Sequence, residues 1–183
     1  TDPISREKSI QEETDEEFLG GFDVYLIGDK SGSMQANLRG EMLWQMQRRA
    51  AYLIFSSLHR FEQNLRRAGL DNDRNLAVRT QGISFRGDGK DDIDLDKPLT
   101  NNFSPVDKVR YWRSLTNQGN GNGDVAALSY IYEQIKTEVD SAKKSGGRDQ
   151  RLRLVFVCSD GAPDDTAAVQ NLAEKIGQLG AVV

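Results

Sequence analysis

Within "VYLIGDKSGSMQ", residues 24–35, an apolar run stops on Asp29, and hydroxyls follow at alternate positions, Ser31 and Ser33. Serines two apart in an extended turn aim both hydroxyls at one point, and Gly32 between them lets the backbone bend. Two further stretches are rich in oxygen: "GNGNGD", with Asn122 and Asp124, ahead of a helical pattern, and "SDG", with Asp160, after the apolar run "LRLVFVC". The candidate ligands Asp29, Ser31, Ser33, Asn122, Asp124 and Asp160 all offer oxygen, and no histidine or cysteine joins them. That donor set selects a hard cation such as Mg²⁺, Mn²⁺ or Ca²⁺ and argues against zinc. Hydroxyls are neutral ligands, so a divalent ion held by them stays electron-poor and leaves a position for an outside carboxylate. For Asn122 and Asp124, loop structure and coordination both stay open, since Asp124 is also a natural helix N-cap.

These loops need a frame that brings them to one edge. "FDVYLIG" reads as a short buried strand ending at Gly28. A long helix is expected from about Glu41, burying Leu43, Met46, Ala50, Leu53, Ile54, Leu58, Phe61 and Leu65, with arginines in its last turn and Gly69 at its C-cap. "NLAVRTQGISF" is rich in strand formers, "RGDGKDD" reads as a turn, and "IDLDKPLT" as an exposed edge strand. Ser104 and Pro105 mark the N-cap and first position of a short helix. A helix from about Asp124 would bury Leu128, Ile131, Tyr132, Ile135 and Val139. "LRLVFVC" is a strand, Asp164 or Asp165 caps a helix carrying Ala168, Val169, Leu172, Ile176 and Leu179, and "GAVV" begins another strand. Strands alternating with helices predict an α/β fold: a mostly parallel sheet with one antiparallel edge strand and helices on both faces. Ligands of such sheets sit at the carboxyl ends of the strands, where all three oxygen-rich loops fall.

"DKSGSM" with the downstream "SDG" resembles the von Willebrand factor A (vWA) domain and its metal-ion-dependent adhesion site, over residues 20–183. That family's pattern is DxSxS, a threonine from a second loop and an aspartate from a third. Asp29, Ser31, Ser33 and Asp160 match it; Asn122 stands at the threonine's place, and Thr116 lies six residues earlier. Asn122-x-Asp124 ahead of Ala127-Leu128, together with "SDGAPDD", is similar to the vWA domain of CobT-type cobaltochelatase subunits. The resemblance implies a three-layer Rossmann-like fold and a bound divalent cation, Mg²⁺ before Mn²⁺ or Ca²⁺. It also implies a protein partner that supplies a carboxylate, in the setting of an AAA+ ATPase, and a binding module in place of an enzyme. Asp124 in the coordination sphere would add negative charge and weaken the pull on an anionic ligand.

At 183 residues the chain suits one domain, with residues 1–19 as an acidic tail or loosely docked helix. The sequence stops on a strand, so the domain at 20–183 is expected to lack its last C-terminal elements. A net charge of −4 argues against nucleic acid and anionic membranes as partners, and no apolar run approaches a membrane span. The single cysteine, Cys158, permits no internal disulfide and reads as core; a cytoplasmic setting is the default. Several signals fail. A phosphate-binding loop would need glycine where Val24 and Asp29 stand, "DNDRN" lacks the glycine and glutamate of a calcium loop, and His59 on the long helix has no nucleophile beside it. Arg48/Arg49 and Arg66/Arg67 read as a solvated helix face. Metal-dependent phosphoester hydrolysis is the alternative activity, opposed by the lack of a nucleophile, basic clamp or general base. A degenerate scaffold with no metal role is the other.

Overall fold

A strand flanked by parallel neighbours is buried on both faces and reads as an unbroken apolar run. In the computed structural model, which describes residues 20–69, 77–116, 119–146, 151–161 and 163–183, β1 (Phe22–Asp29) is such a strand, buried from Asp23 to Asp29. It lies at the centre of a five-stranded sheet of order β5-β4-β1-β6-β7, formed with β4 (Val78–Phe85), β5 (Ile93–Thr100), β6 (Leu152–Cys158) and β7 (Ala181–Val182). All neighbours are parallel except β5, which runs antiparallel to β4 at the edge. The expected mostly parallel sheet with one antiparallel edge strand is present. Gly28 of β1 pairs with Ser84 of β4 and with Cys158 of β6, so the three strands end at one level.

Helices pack on both faces, as the alternation of β1 requires. Tyr25 and Ile27 join a core with Leu128, Ile131 and Ile135 of α3 (Asp124–Lys144) and Ile176 of α4 (Thr166–Gln178). Leu26 faces the other way, into a cluster with Ala51 and Phe55 of α1 (Leu43–Arg67) and Tyr111 of α2 (Pro105–Ser114). Gly82 of β4 is dictated by this second layer: a Cβ there would meet the Tyr111 ring at 2.5 Å. The N-cap expectations for two helices hold. Ser104 accepts from Asp107 N ahead of Pro105, and Asp165 accepts from Ala168 N at 2.8 Å.

Three expectations need correction. Residues Glu41–Met42 form β3, pairing with β2 (Asn37–Leu38), so α1 starts at Leu43. The buried face of α1 is Gln47, Ala51, Phe55 and Glu62, whereas Met46, Leu53 and Phe61 are exposed at 42%, 62% and 53%. An apolar count cannot find that face, because two of its positions are polar residues with partners of their own: Gln47 bonds to Asp29, and Glu62 pairs with Arg66. Finally, the N-cap of α3 is Gly123, and Asp124 is the first helical residue. The acidic segment 1–19 and the "DNDRN" stretch lie outside the described residues. Among the described residues no helix is long and apolar enough to cross a membrane.

Candidate metal centre

At the end of β1 the chain must leave the sheet, and two side chains hold it there. Successive strand residues point their backbone groups to opposite neighbours. Lys30 N donates to Phe85 O on the β4 side, so Asp29 faces β6, whose pairing with β1 stops at Cys158. The missing rung is supplied by α1. Asp29 N donates to Gln47 Oε1 at 3.1 Å, and Gln47 Nε2 donates to Asp29 O at 2.9 Å. The Lys30 side chain runs back under the loop to β5, where its Nζ lies 3.0 Å from Asp94 and 3.1 Å from Asp96. Burial pushes the Asp96 carboxyl up, against the pull of Lys30 and a hydrogen bond from Ser84.

Beyond this anchor the polar side chains of the three loops converge. Ser31 N donates to Asp29 Oδ1 at 2.6 Å, and Ser159 Oγ donates to Asp29 Oδ2 at 3.1 Å. Ser33 Oγ donates to Asp160 Oδ1 at 2.9 Å, across 127 residues of sequence. With that proton given away, Ser33 accepts the 2.7 Å bond it shares with Ser31 Oγ. The residues line an open cleft of about 720 Å³ with Asn120, Asn122, Asp88 and Asp164.

The glycine–asparagine loop reaches the cleft by close backbone approach. A Cβ at Gly119 would lie 2.1 Å from Arg86 O, and one at Gly123 would lie 2.3 Å from Gly87 O. Alternate glycines therefore press this loop onto the β4–β5 turn. Gly119 N donates to Lys30 O, Asn120 N to Arg86 O, and Asn122 N to Asp88 Oδ1 at 2.8 Å. The asparagines between the glycines face the cleft.

Asp29, Ser31, Ser33, Asp160 and Asn122 thus line one cleft. Asp124 lies outside the lining and is buried; burial, then the charges of Asp29 and Asp164, push its carboxyl up, with the Asn122 side chain opposing. Thr116 is not among the lining residues. Sequence reasoning missed Gln47, Asp88 and Ser159. Gln47 was hidden in a helix judged by its apolar positions, and Asp88 in a turn; Ser159 stands in "SDG" beside the aspartate that drew attention.

Among the described residues no three His, Cys, Asp or Glu side chains gather as a metal-binding group. The set here is two carboxylates and two hydroxyls, which is oxygen-only and fits a hard divalent ion. The fit rests on two orphans as well. Asn122 Oδ1 and Asp124 Oδ1 are buried without a hydrogen-bond partner, a state that a nearby cation would relieve.

No family model matches the chain, and no curated protein does. Among solved structures it is similar to proximal thread matrix protein 1 from the mussel byssus, with a TM-score of 0.57 and 17% identity over 88% of this chain. The chain spans only 36% of that one. The pilus adhesin SpaC from Lactobacillus rhamnosus GG matches with a TM-score of 0.45 and 20% identity, over 78% of this chain and 16% of that one. The first likeness supports an α/β fold and no more.

Proposed function

We propose that this chain is a vWA-type domain with the three-layer Rossmann-like fold of that family, binding a divalent cation, Mg²⁺ first, through Asp29, Ser31, Ser33 and Asp160. Asn122, which lines the cleft, and Asp124, buried outside that lining, are the candidate fifth and sixth contributors. The observation that carries the reading is the chain of contacts from Ser31 through Ser33 to Asp160, made by loops far apart in sequence and meeting at the carboxyl end of the sheet. A bound cation would supply a Lewis-acidic contact for a carboxylate from outside. Asp29 and Asp160 orient the serines, Gln47 and Lys30 fix the loop, and the open cleft admits a side chain of a partner protein. The role is therefore metal-dependent protein binding and not catalysis. The similarity of the second and third loops to chelatase-type vWA domains supports an AAA+ ATPase as that partner.

One observation favours a second reading, a scaffold without a metal role. Both Asp29 oxygens, both serine hydroxyls and one Asp160 oxygen already have protein partners. Calorimetric titration of the metal-stripped chain with Mg²⁺ and with Mn²⁺, beside an Asp29→Ala/Asp160→Ala variant, separates the two. Saturable binding that the variant loses supports the metal site. A folded wild-type chain that takes up neither ion refutes it and leaves the scaffold.

A further inference from the structure

We infer that Arg48, which lies against the rings of Trp44 and Trp112, is a receptor for a carboxylate of an acidic protein segment, at a surface distinct from the metal cleft. The Arg48 guanidinium carbon lies 4.7 Å from the Trp44 ring centre and 4.1 Å from that of Trp112. Trp44 stands one helical turn before Arg48 on α1, and Trp112 comes from the last turn of α2. Tyr52 meets Trp112 edge-on at 5.5 Å and fixes the second indole in place. With two indoles against the guanidinium, a carboxylate would meet it through the terminal Nη groups.

Arg48 Nε is enclosed and out of a ligand's reach, which leaves the terminal Nη groups for an outside carboxylate; among the described residues no carboxylate or carbonyl engages the side chain. The adjacent Arg49, by contrast, is paired with Glu41 at 2.9 Å. A planar fork of donors matches a carboxylate in a bidentate pair, and stacking on indoles keeps the fork oriented before a ligand arrives.

The surroundings favour an acidic protein segment. In a chain of net charge −4, α1 carries Arg48, Arg49, Arg60, Arg66 and Arg67 against Glu62, and α2 carries Lys108, Arg110 and Arg113 against Asp107. The outer face of α2 adds Val106 and Val109, exposed at 66% and 52%, an apolar patch that a peptide's side chains can cover. Nucleic acid is the other anionic class, and the test below includes it as an outcome.

The inference does not rest on metal binding, and its test is run in EDTA. Trp44 and Trp112 are the two tryptophans of the protein, so fluorescence excited selectively in tryptophan reports on this slot. Titration with N-acetylated hexaglutamate amide should change the emission saturably. Arg48→Gln should weaken binding about 10- to 100-fold, the range for hydrogen bonds to a charged group. Arg48→Lys keeps a stacked cation but lacks the fork, so it should bind several-fold more weakly than wild type with an unchanged urea midpoint. No binding by wild type, equal binding by Arg48→Lys and wild type, or tighter binding of a single-stranded oligonucleotide than of hexaglutamate would each overturn the inference.

Discussion

Gln47 closes both backbone groups of Asp29, so replacing it with leucine asks how much of the site loop depends on one amide. The leucine has nearly the same reach and volume but can neither accept from Asp29 N nor donate to Asp29 O. Those bonds are 3.1 and 2.9 Å long and buried, with Gln47 itself 6% exposed, so water cannot replace the lost partners without opening the layer. Each of the two orphaned backbone groups costs about 1–3 kcal/mol, and the added apolar burial returns about 1 kcal/mol, for a net loss of roughly 1–5 kcal/mol. Urea unfolding followed by far-ultraviolet circular dichroism measures this, with the slope unchanged if the transition stays two-state. Mg²⁺ affinity should fall as well, since Asp29 is no longer held. Gln47→Glu still accepts from Asp29 N but sets a carboxylate against Asp29 O, so it should be at least as destabilised near neutral pH. A Gln47→Leu chain within about 0.5 kcal/mol of wild type would refute the argument that α1 supplies the missing rung of the sheet.

Two further perturbations test the charges beneath the site. Lys30→Met leaves Asp96 buried, at 1% side-chain exposure, without its cation. Removing one partner of a buried pair costs about 3–5 kcal/mol near neutral pH. The deficit should shrink toward acid, because burial already pushes the Asp96 carboxyl up and a protonated Asp96 no longer needs Lys30; unfolding near pH 7 and near pH 4 compares the two. Lys97, 2% exposed, is pushed down to about 8 by burial. Below that value the ammonium is charged in both folded and unfolded chains. Above it the folded lysine is neutral while the unfolded one stays protonated, so stability rises with pH. Relative to Lys97→Met, wild type should gain about 2–3 kcal/mol between pH 8 and 10; a flat difference would mean that the bonds from Nζ to Thr80 O, Pro98 O and Thr100 O keep the charge in place.

Much of the frame was legible because it depends on patterns local to each segment. β1 and β6 are apolar runs cut short by polar residues, Ser104-Pro105 fixes a helix start through its own backbone geometry, and Ile93–Asp96 alternates apolar with acidic residues at the sheet edge, although Asp96 and Lys97 are buried there and Leu95 is exposed. The site loops were legible for a related reason. Asp29, Ser31 and Ser33 are spaced for one extended turn, and strand ends in such a sheet share an edge, so Asp160 could be placed beside them without any knowledge of contacts.

What the sequence hid are polar residues whose reason for being where they are lies in another element. Gln47 and Glu62 take core-facing positions of α1 because Asp29 and Arg66 satisfy them, and the apolar count then slid one residue around the helix. Lys97 is buried with its Nζ on backbone oxygens of β4 and β5, a setting no charge pattern suggests. Arg48 is the sharpest case. Beside Arg49 it looks like a solvated pair, yet the two residues differ in kind: Arg49 answers Glu41, whereas Arg48 lies against two indoles 68 positions apart in sequence, Trp44 of α1 and Trp112 of α2, with no carboxylate on it among the described residues. An arginine stacked for structure alone would more economically end on a carboxylate of its own chain, and Glu41 of β3 is one that reaches the adjacent Arg49. That the nearby carboxylate pairs with Arg49 and leaves Arg48 open is the physical ground for looking outside the molecule for its partner.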